Sequence, residues 1–158
     1  MDNLMIENEA DNISETKPEE LFSVSVELPD GYLVDGYHAV TENGASYLRT
    51  AYVAEYAQQL AEALNVMKPT DFNALLREMK RNKKGTLPFE ARQTAAAEML
   101  PKALNLVSRK KAPQLLVDMI RANLDAIKTD EDWTAYYRHL EAIAGYMSTV
   151  AYENPNER

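Results

Sequence analysis

Beyond Asn43-Gly44 this chain nearly abandons glycine, and apolar residues return every three or four positions as far as Tyr146. A strand buries alternate residues, whereas a helix buries one residue in three or four, so this spacing commits most of the chain to helices. Helices with one apolar stripe must bury that stripe against each other, which predicts a compact, mainly α bundle of about five helices. The absence of any period of 20 to 50 residues argues against a solenoid.

The stops and starts divide the pattern. The first helix is expected from about Ala45 to Met67, with Leu48, Tyr52, Tyr56, Leu60 and Leu64 on one stripe and Lys68-Pro69 ending it. The second begins after Thr70, presents Phe72, Leu75, Leu76 and Met79, and runs out in Lys80-Arg81-Asn82-Lys83-Lys84-Gly85. The third extends from Pro88 to Ser108 and is kinked or broken by Pro101, which lacks a backbone donor. The fourth follows Pro113 and carries Leu116, Met119, Ile120, Leu124 and Ile127. The fifth opens on Thr129-Asp130-Glu131-Asp132, a capping-box spacing, and buries Trp133, Tyr137, Leu140, Ile143 and Met147.

The first 44 residues read differently. Residues 1–20 hold seven acids and one lysine, a composition that cannot bury enough surface to order itself, and are expected to form a flexible acidic tail. Phe22, Val24, Val26 and Leu28 then alternate with Ser23, Ser25 and Glu27, the period of a strand. Pro29-Asp30-Gly31 supplies a turn and Tyr32-Leu33-Val34 a returning strand, so residues 21–44 are expected to be a β-hairpin extension and residues 45–152 the helical domain.

Charge is segregated. Residues 1–67 carry 2 basic and 13 acidic side chains, residues 68–111 carry 11 and 4, and residues 112–158 carry 4 and 8, within a net charge of −8. An acidic protein repels polyanions, but one strongly basic internal third is suited to phosphate contact, where Lys and Arg displace counterions. Arg77, Lys80, Arg81, Lys83, Lys84, Arg92, Lys102, Arg109, Lys110 and Lys111 are the side chains able to form such a strip, and Lys102 and Arg109 lie two turns apart on one helical face.

Catalytic signatures do not stand out. There is no cysteine, the two histidines His38 and His139 are remote from each other in sequence, and the five glycines stand singly rather than in a phosphate loop. His38 reads as a loop residue and His139 as a helix-surface or half-buried one. The tyrosines at helical spacing read as core, with Tyr136, beside Arg138 on a partly polar face, the best candidate for an exposed ring. No catalytic residue, metal site or cofactor is expected. No apolar run reaches the length of a membrane span, and the acidic start is unlike a secretion signal, so a cytoplasmic protein without a membrane partner is expected.

The stretch MLPKALNLVSR from Met99 to Arg109, the following LLVDMIRANLDAI, and EDWTAYYRHLEAIAGY from Glu131 to Tyr146 together resemble the small subunit of type III-A CRISPR effector complexes, the Csm family. Leu48-Arg49-Thr50-Ala51-Tyr52 is similar to the start of that family's first long helix, although Ser108 stands where the family has glycine. The resemblance implies a noncatalytic helical subunit that stacks in several copies along a guide RNA–target RNA duplex. It also implies neighbours in the repeating backbone subunit and the large polymerase-like subunit, and RNA contacts from Arg49, Lys102 and Arg109. Another reading of the same composition is a helical protein–protein adaptor or regulator that works through its acidic tail without nucleic acid.

Overall fold

A computed structural model describes residues 27–83 and 87–149 of the chain. The fold is mainly α with one antiparallel hairpin, as the periodicity predicts. Two short strands, β1 (His38–Val40) and β2 (Ser46–Leu48), precede a 3-10 turn at Thr50–Tyr52. Six helices follow: α1 (Glu55–Ala63), α2 (Pro69–Arg81), α3 (Phe89–Ala97), α4 (Met99–Ser108), α5 (Gln114–Ala126) and α6 (Asp130–Met147). The expected acidic tail, the strand at Phe22–Val26 and Lys84 lie outside the described residues.

Two boundaries differ from the sequence expectation, each for a physical reason. Tyr32-Leu33-Val34 does not return as a strand. It lies in successive tight turns, with Tyr32 N bonded to Pro29 O and Val34 N to Gly31 O, both at 3.1 Å. Gly31 permits this with φ of 78° and by letting the Tyr56 hydroxyl approach to 3.1 Å of where a Cβ would stand. The hairpin instead forms around Asn43-Gly44, so Ser46–Leu48, expected at the head of the first helix, pairs with His38–Val40. Helical spacing is overridden there by backbone bonds closing both ends of the ladder, Thr41 N to Ala45 O and Arg49 N to Tyr37 O, each 2.8 Å. The third helix, expected to be kinked or broken at Pro101, is broken into two helices, α3 and α4. The ring of Pro101 conflicts with the carbonyl four residues earlier, that of Ala97, and Ala97 is where α3 ends.

The termini of the other helices follow local rules. Pro69 opens α2, Asp71 occupies its first turn, and Lys80 and Arg81 its last, all favourable to the helix dipole. At α6 the Thr129 hydroxyl accepts from Asp132 N at 3.1 Å while the Asp132 carboxylate accepts from Lys128 N at 2.9 Å. The expected capping box is therefore present, with its acid reaching one residue further back.

Helix α6 is the axis of the core, packing against α1, α2, α3 and the 3-10 turn, while α4 packs on α5. Trp133 is fully buried, stacks on Tyr137 with 5.9 Å between ring centroids, and donates from Nε1 to Arg92 O at 2.7 Å. Two expectations about this helix are overturned. Tyr136 is fully buried rather than exposed, its hydroxyl 3.8 Å from Met99 Sδ, and His139 is fully buried rather than at the surface. With apolar neighbours on α1, α2 and α3, α6 buries far more of its circumference than a one-sided stripe implies.

His139 anchors the N-terminal segment. Its Nδ1 lies 2.5 Å from the carbonyl of Tyr52, which can only accept, so Nδ1 carries the proton and Nε2 is the acceptor. The Tyr32 hydroxyl, 2.7 Å from Nε2, therefore donates to it and itself accepts from Asn123 Nδ2 at 2.8 Å. Asn123 Oδ1 accepts from the Tyr37 hydroxyl at 2.6 Å, and Nδ2 also donates to Met119 O. This directed chain joins the turn segment, the 3-10 turn, α5 and α6 with each buried group satisfied. Burial holds His139 neutral, its pKa lowered from 6.5 to about 4 despite the opposing bond to Tyr52.

Candidate nucleic-acid interface

The basic third of the chain becomes α2, α3, α4 and their connections. Helix α2 is amphipathic: Phe72, Leu75, Leu76 and Met79 are buried, while Asn73, Arg77, Lys80 and Arg81 form its exposed ridge. A groove lies along each flank of that ridge. The first, of about 460 Å³ between α2 and α6, is lined by Asn73, Arg77, Lys80, Tyr137 and Glu141 among others. The second, of about 390 Å³ between α2 and α4, is more apolar and includes Asp71, Ala74, Pro101, Lys102 and Asn105.

These linings decide which cations share a surface. Arg77 and Lys80 line the first groove and Lys102 the second, so the α2 ridge lies between them. Asn105 shares the second groove with Lys102 and accepts from Arg109 Nη1 at 3.4 Å. Lys102 and Arg109 thus lie on one face of α4, as their spacing predicts. Each groove also carries one acid, Glu141 in the first and Asp71 in the second, which leaves the ridge as the most basic part. Burial, and then the neighbouring Glu141 carboxylate, raise the pKa of Tyr137, so that its hydroxyl remains a neutral hydrogen-bonding group.

The C-terminal end of α4 adds Lys110 and Lys111. Lys110 N bonds Val107 O at 3.0 Å and Lys111 N bonds Leu106 O at 2.8 Å, the paired bonds of a Schellman motif. Its left-handed residue is Lys110, with φ of 58°, at a position where glycine relieves steric strain. Both lysines are exposed, as are Arg81, which pairs with Glu78 at 2.7 Å, and Lys83.

Arg92 must be removed from the expected strip. It is only 5% exposed. Its guanidinium carbon sits 4.1 Å from the Trp133 ring centroid, Nη1 is 2.8 Å from Asp130 Oδ1, and Nε donates to Asn82 O at 3.2 Å. It is an interior residue that ties α3 to the start of α6 and to the end of α2. Arg49 is also set apart, between β2 and the 3-10 turn, and lines neither groove. It is half-buried, and its Nε is buried with no partner among the described residues.

Charge counting does not single out Asn73, Asn105, Tyr137 or Glu141, since nothing local marks them. Their position follows from the α2–α4 and α2–α6 packing. Among the described residues no group of three His, Asp or Glu side chains is arranged to hold a metal ion, and no helix is long and apolar enough to cross a membrane. No family model matches this chain, and neither a curated protein nor a solved structure was found to match it.

Proposed function

We propose that this protein is a noncatalytic RNA-binding subunit of a guide-RNA-directed ribonucleoprotein, of the kind represented by the small subunits of type III-A CRISPR complexes. In this reading several copies stack along a guide–target duplex beside the repeating backbone subunit and the large polymerase-like subunit. The α2–α4 ridge meets the phosphates. Base pairing supplies the sequence specificity, so the protein needs cations at a suitable spacing rather than groups that read base edges.

The observation that supports this reading is that Arg77 and Lys80 on α2, and Lys102 and Arg109 on and at the end of the adjacent α4, are all exposed. Exposed cations on one ridge contribute little to folding, since local ion pairs there are worth about 0 to 1 kcal/mol. They are therefore available for a polyanion.

The test is binding to a guide–target RNA duplex across a salt series, with the unaltered chain and with R77A/K80A and K102A/R109A. Affinity should fall steeply with salt, and each double variant should flatten the logarithmic slope by about one for every phosphate that it no longer neutralises. Binding that ignores both salt and these substitutions overturns the reading. A protein partner captured without RNA, and released when residues 1–20 are removed, would support an acidic-tail adaptor instead.

A further inference from the structure

The groove between α2 and α6 has two rims of opposite charge. Arg77 and Lys80 stand on the α2 side and Glu141 on the α6 side, with Leu76, Tyr137 and Ala144 completing a volume of about 460 Å³. Opposite charges that share a groove ordinarily pair. Here the side chains of Arg77 and Lys80 make no ion pair or hydrogen bond with Glu141 or with any other described residue. The packing of the two helices holds the rims apart, since the axes of helices in contact lie about 8 to 10 Å from each other. A ligand that bridges the rims must be anionic at one end and a hydrogen-bond donor at the other.

What lies between the rims limits its shape. Leu76 and Tyr137 are buried and Ala144 is half-buried, so the middle of the groove is a largely apolar floor. Glu141 is exposed, and the Tyr137 hydroxyl, one turn earlier on α6, bonds to its carboxylate. A carboxylate has about four lone-pair sites, so this bond orients Glu141 and leaves it able to accept from two further N–H groups.

An apolar, flat body with a phosphate at one end and N–H groups at the other describes a nucleotide. The bases differ in what they show a carboxylate. Guanine presents two adjacent donors, N1–H and N2–H, which match the two oxygens in parallel as an arginine fork does. Adenine and cytosine place a ring-nitrogen acceptor beside the amino group, and uracil flanks its single N–H with two carbonyls, so each of these sets a lone pair against the carboxylate.

We propose that the α2–α6 groove binds one unpaired guanine nucleotide, with its phosphate on Arg77 and Lys80, its ring on Leu76 and Ala144, and its N1–H and N2–H donating to Glu141. Pairing with cytosine covers this same edge of guanine, so the site goes beyond the duplex contact proposed above and takes a base that lies outside a duplex. The two share only the cations that meet phosphate.

Titration of the full chain with GMP, IMP and AMP, followed through the NMR shifts of the Leu76 and Ala144 methyl groups, tests this. GMP should bind at least about tenfold more tightly than AMP, the discrimination expected of one bidentate pair. IMP, which keeps N1–H but lacks the amino group, should fall between them. E141Q should remove most of the preference, because an amide offers one acceptor where two are needed, whereas R77A/K80A should weaken GMP and AMP by the same factor and keep the preference. All three residues are exposed, so these substitutions leave the fold intact. Short uridine oligomers carrying one guanosine or one adenosine then separate the sources: a guanine preference in the oligomers as well assigns the site to a base in a strand, and a preference with GMP alone assigns it to the free nucleotide. Equal affinity for GMP and AMP overturns the inference. So does a preference that survives E141Q, and so does binding that leaves the Leu76 and Ala144 methyl groups unshifted. Loss of duplex binding with the GMP preference intact overturns the RNA-subunit reading alone, and the reverse result overturns this site alone.

Discussion

In the interior between the N-terminal segment and α6, polar side chains find partners far away in sequence; on the α2–α4 ridge they find them one turn away. Tyr32, Tyr37, Asn123 and His139 are joined across the fold, as are Arg92 and Asp130, whereas Arg81 pairs with Glu78 and Arg109 with Asn105 on their own helices. The first kind of contact exists only when the tertiary structure does, and breaking it leaves a desolvated group unpaired. The second survives in an isolated helix and is replaceable by water. Arg92 and Arg77 make the contrast sharpest, since the same side chain is an interior tie in one place and a surface cation in the other.

Substitutions can break this comparison, beginning with the largest effect. W133A should destabilise the protein by about 3 to 5 kcal/mol, because it opens a cavity and removes the surface on which Arg92 and Tyr137 lie. Chemical denaturation measures this, and a near-neutral result would mean that α6 is not the axis of the core. N123A should cost about 3 kcal/mol by leaving the hydroxyls of Tyr32 and Tyr37 and the carbonyl of Met119 short of a partner, at roughly 1 kcal/mol each. The same denaturation experiment should give about 2 kcal/mol for R92A and no more than about 0.5 kcal/mol for R77A. Equal costs for the two arginines would erase the distinction between interior and ridge.

Acid should act on the interior through His139. His139 binds its proton near pH 4 in the folded state and near 6.5 when unfolded, so between those values the unfolded chain holds more protons. Its contribution to stability is complete above pH 6.5 and falls by about 1.4 kcal/mol per pH unit toward pH 4. Denaturant titrations across that range should show the slope, and H139Q, which cannot titrate there, should remove this part of it. The smallest effect is expected at the end of the ridge. K110G should raise stability by about 0.5 kcal/mol, the relief of a left-handed backbone less the missing cation at a helix terminus, while weakening salt-dependent RNA binding. A gain in stability with unchanged binding would place Lys110 outside the interface.

Legibility in the sequence follows the range of the interactions concerned. The apolar stripes of α2 and α5, the capping of α6 and the break between α3 and α4 depend on residues within a few positions of one another, and all are readable locally. Of the proposed contact residues, the shared face of Lys102 and Arg109 is legible because helical geometry alone determines it. The burial of Arg92 is not, since Trp133 and Asp130 reach it from another helix. Ser46–Leu48 escapes a local reading for the same reason, its helical spacing being overruled by a strand on the far side of a turn.

By itself, then, the sequence determined that this chain is a helical bundle with a basic internal third, because periodicity and charge count are properties of neighbouring residues. Tertiary structure alone decided that Arg92 and Tyr136 lie inside, that His139 is a neutral anchor, and that Arg77, Lys80 and Arg81 form a ridge between two grooves. Burial, desolvation and partner geometry are set by what other helices bring to the same place, which no local pattern encodes.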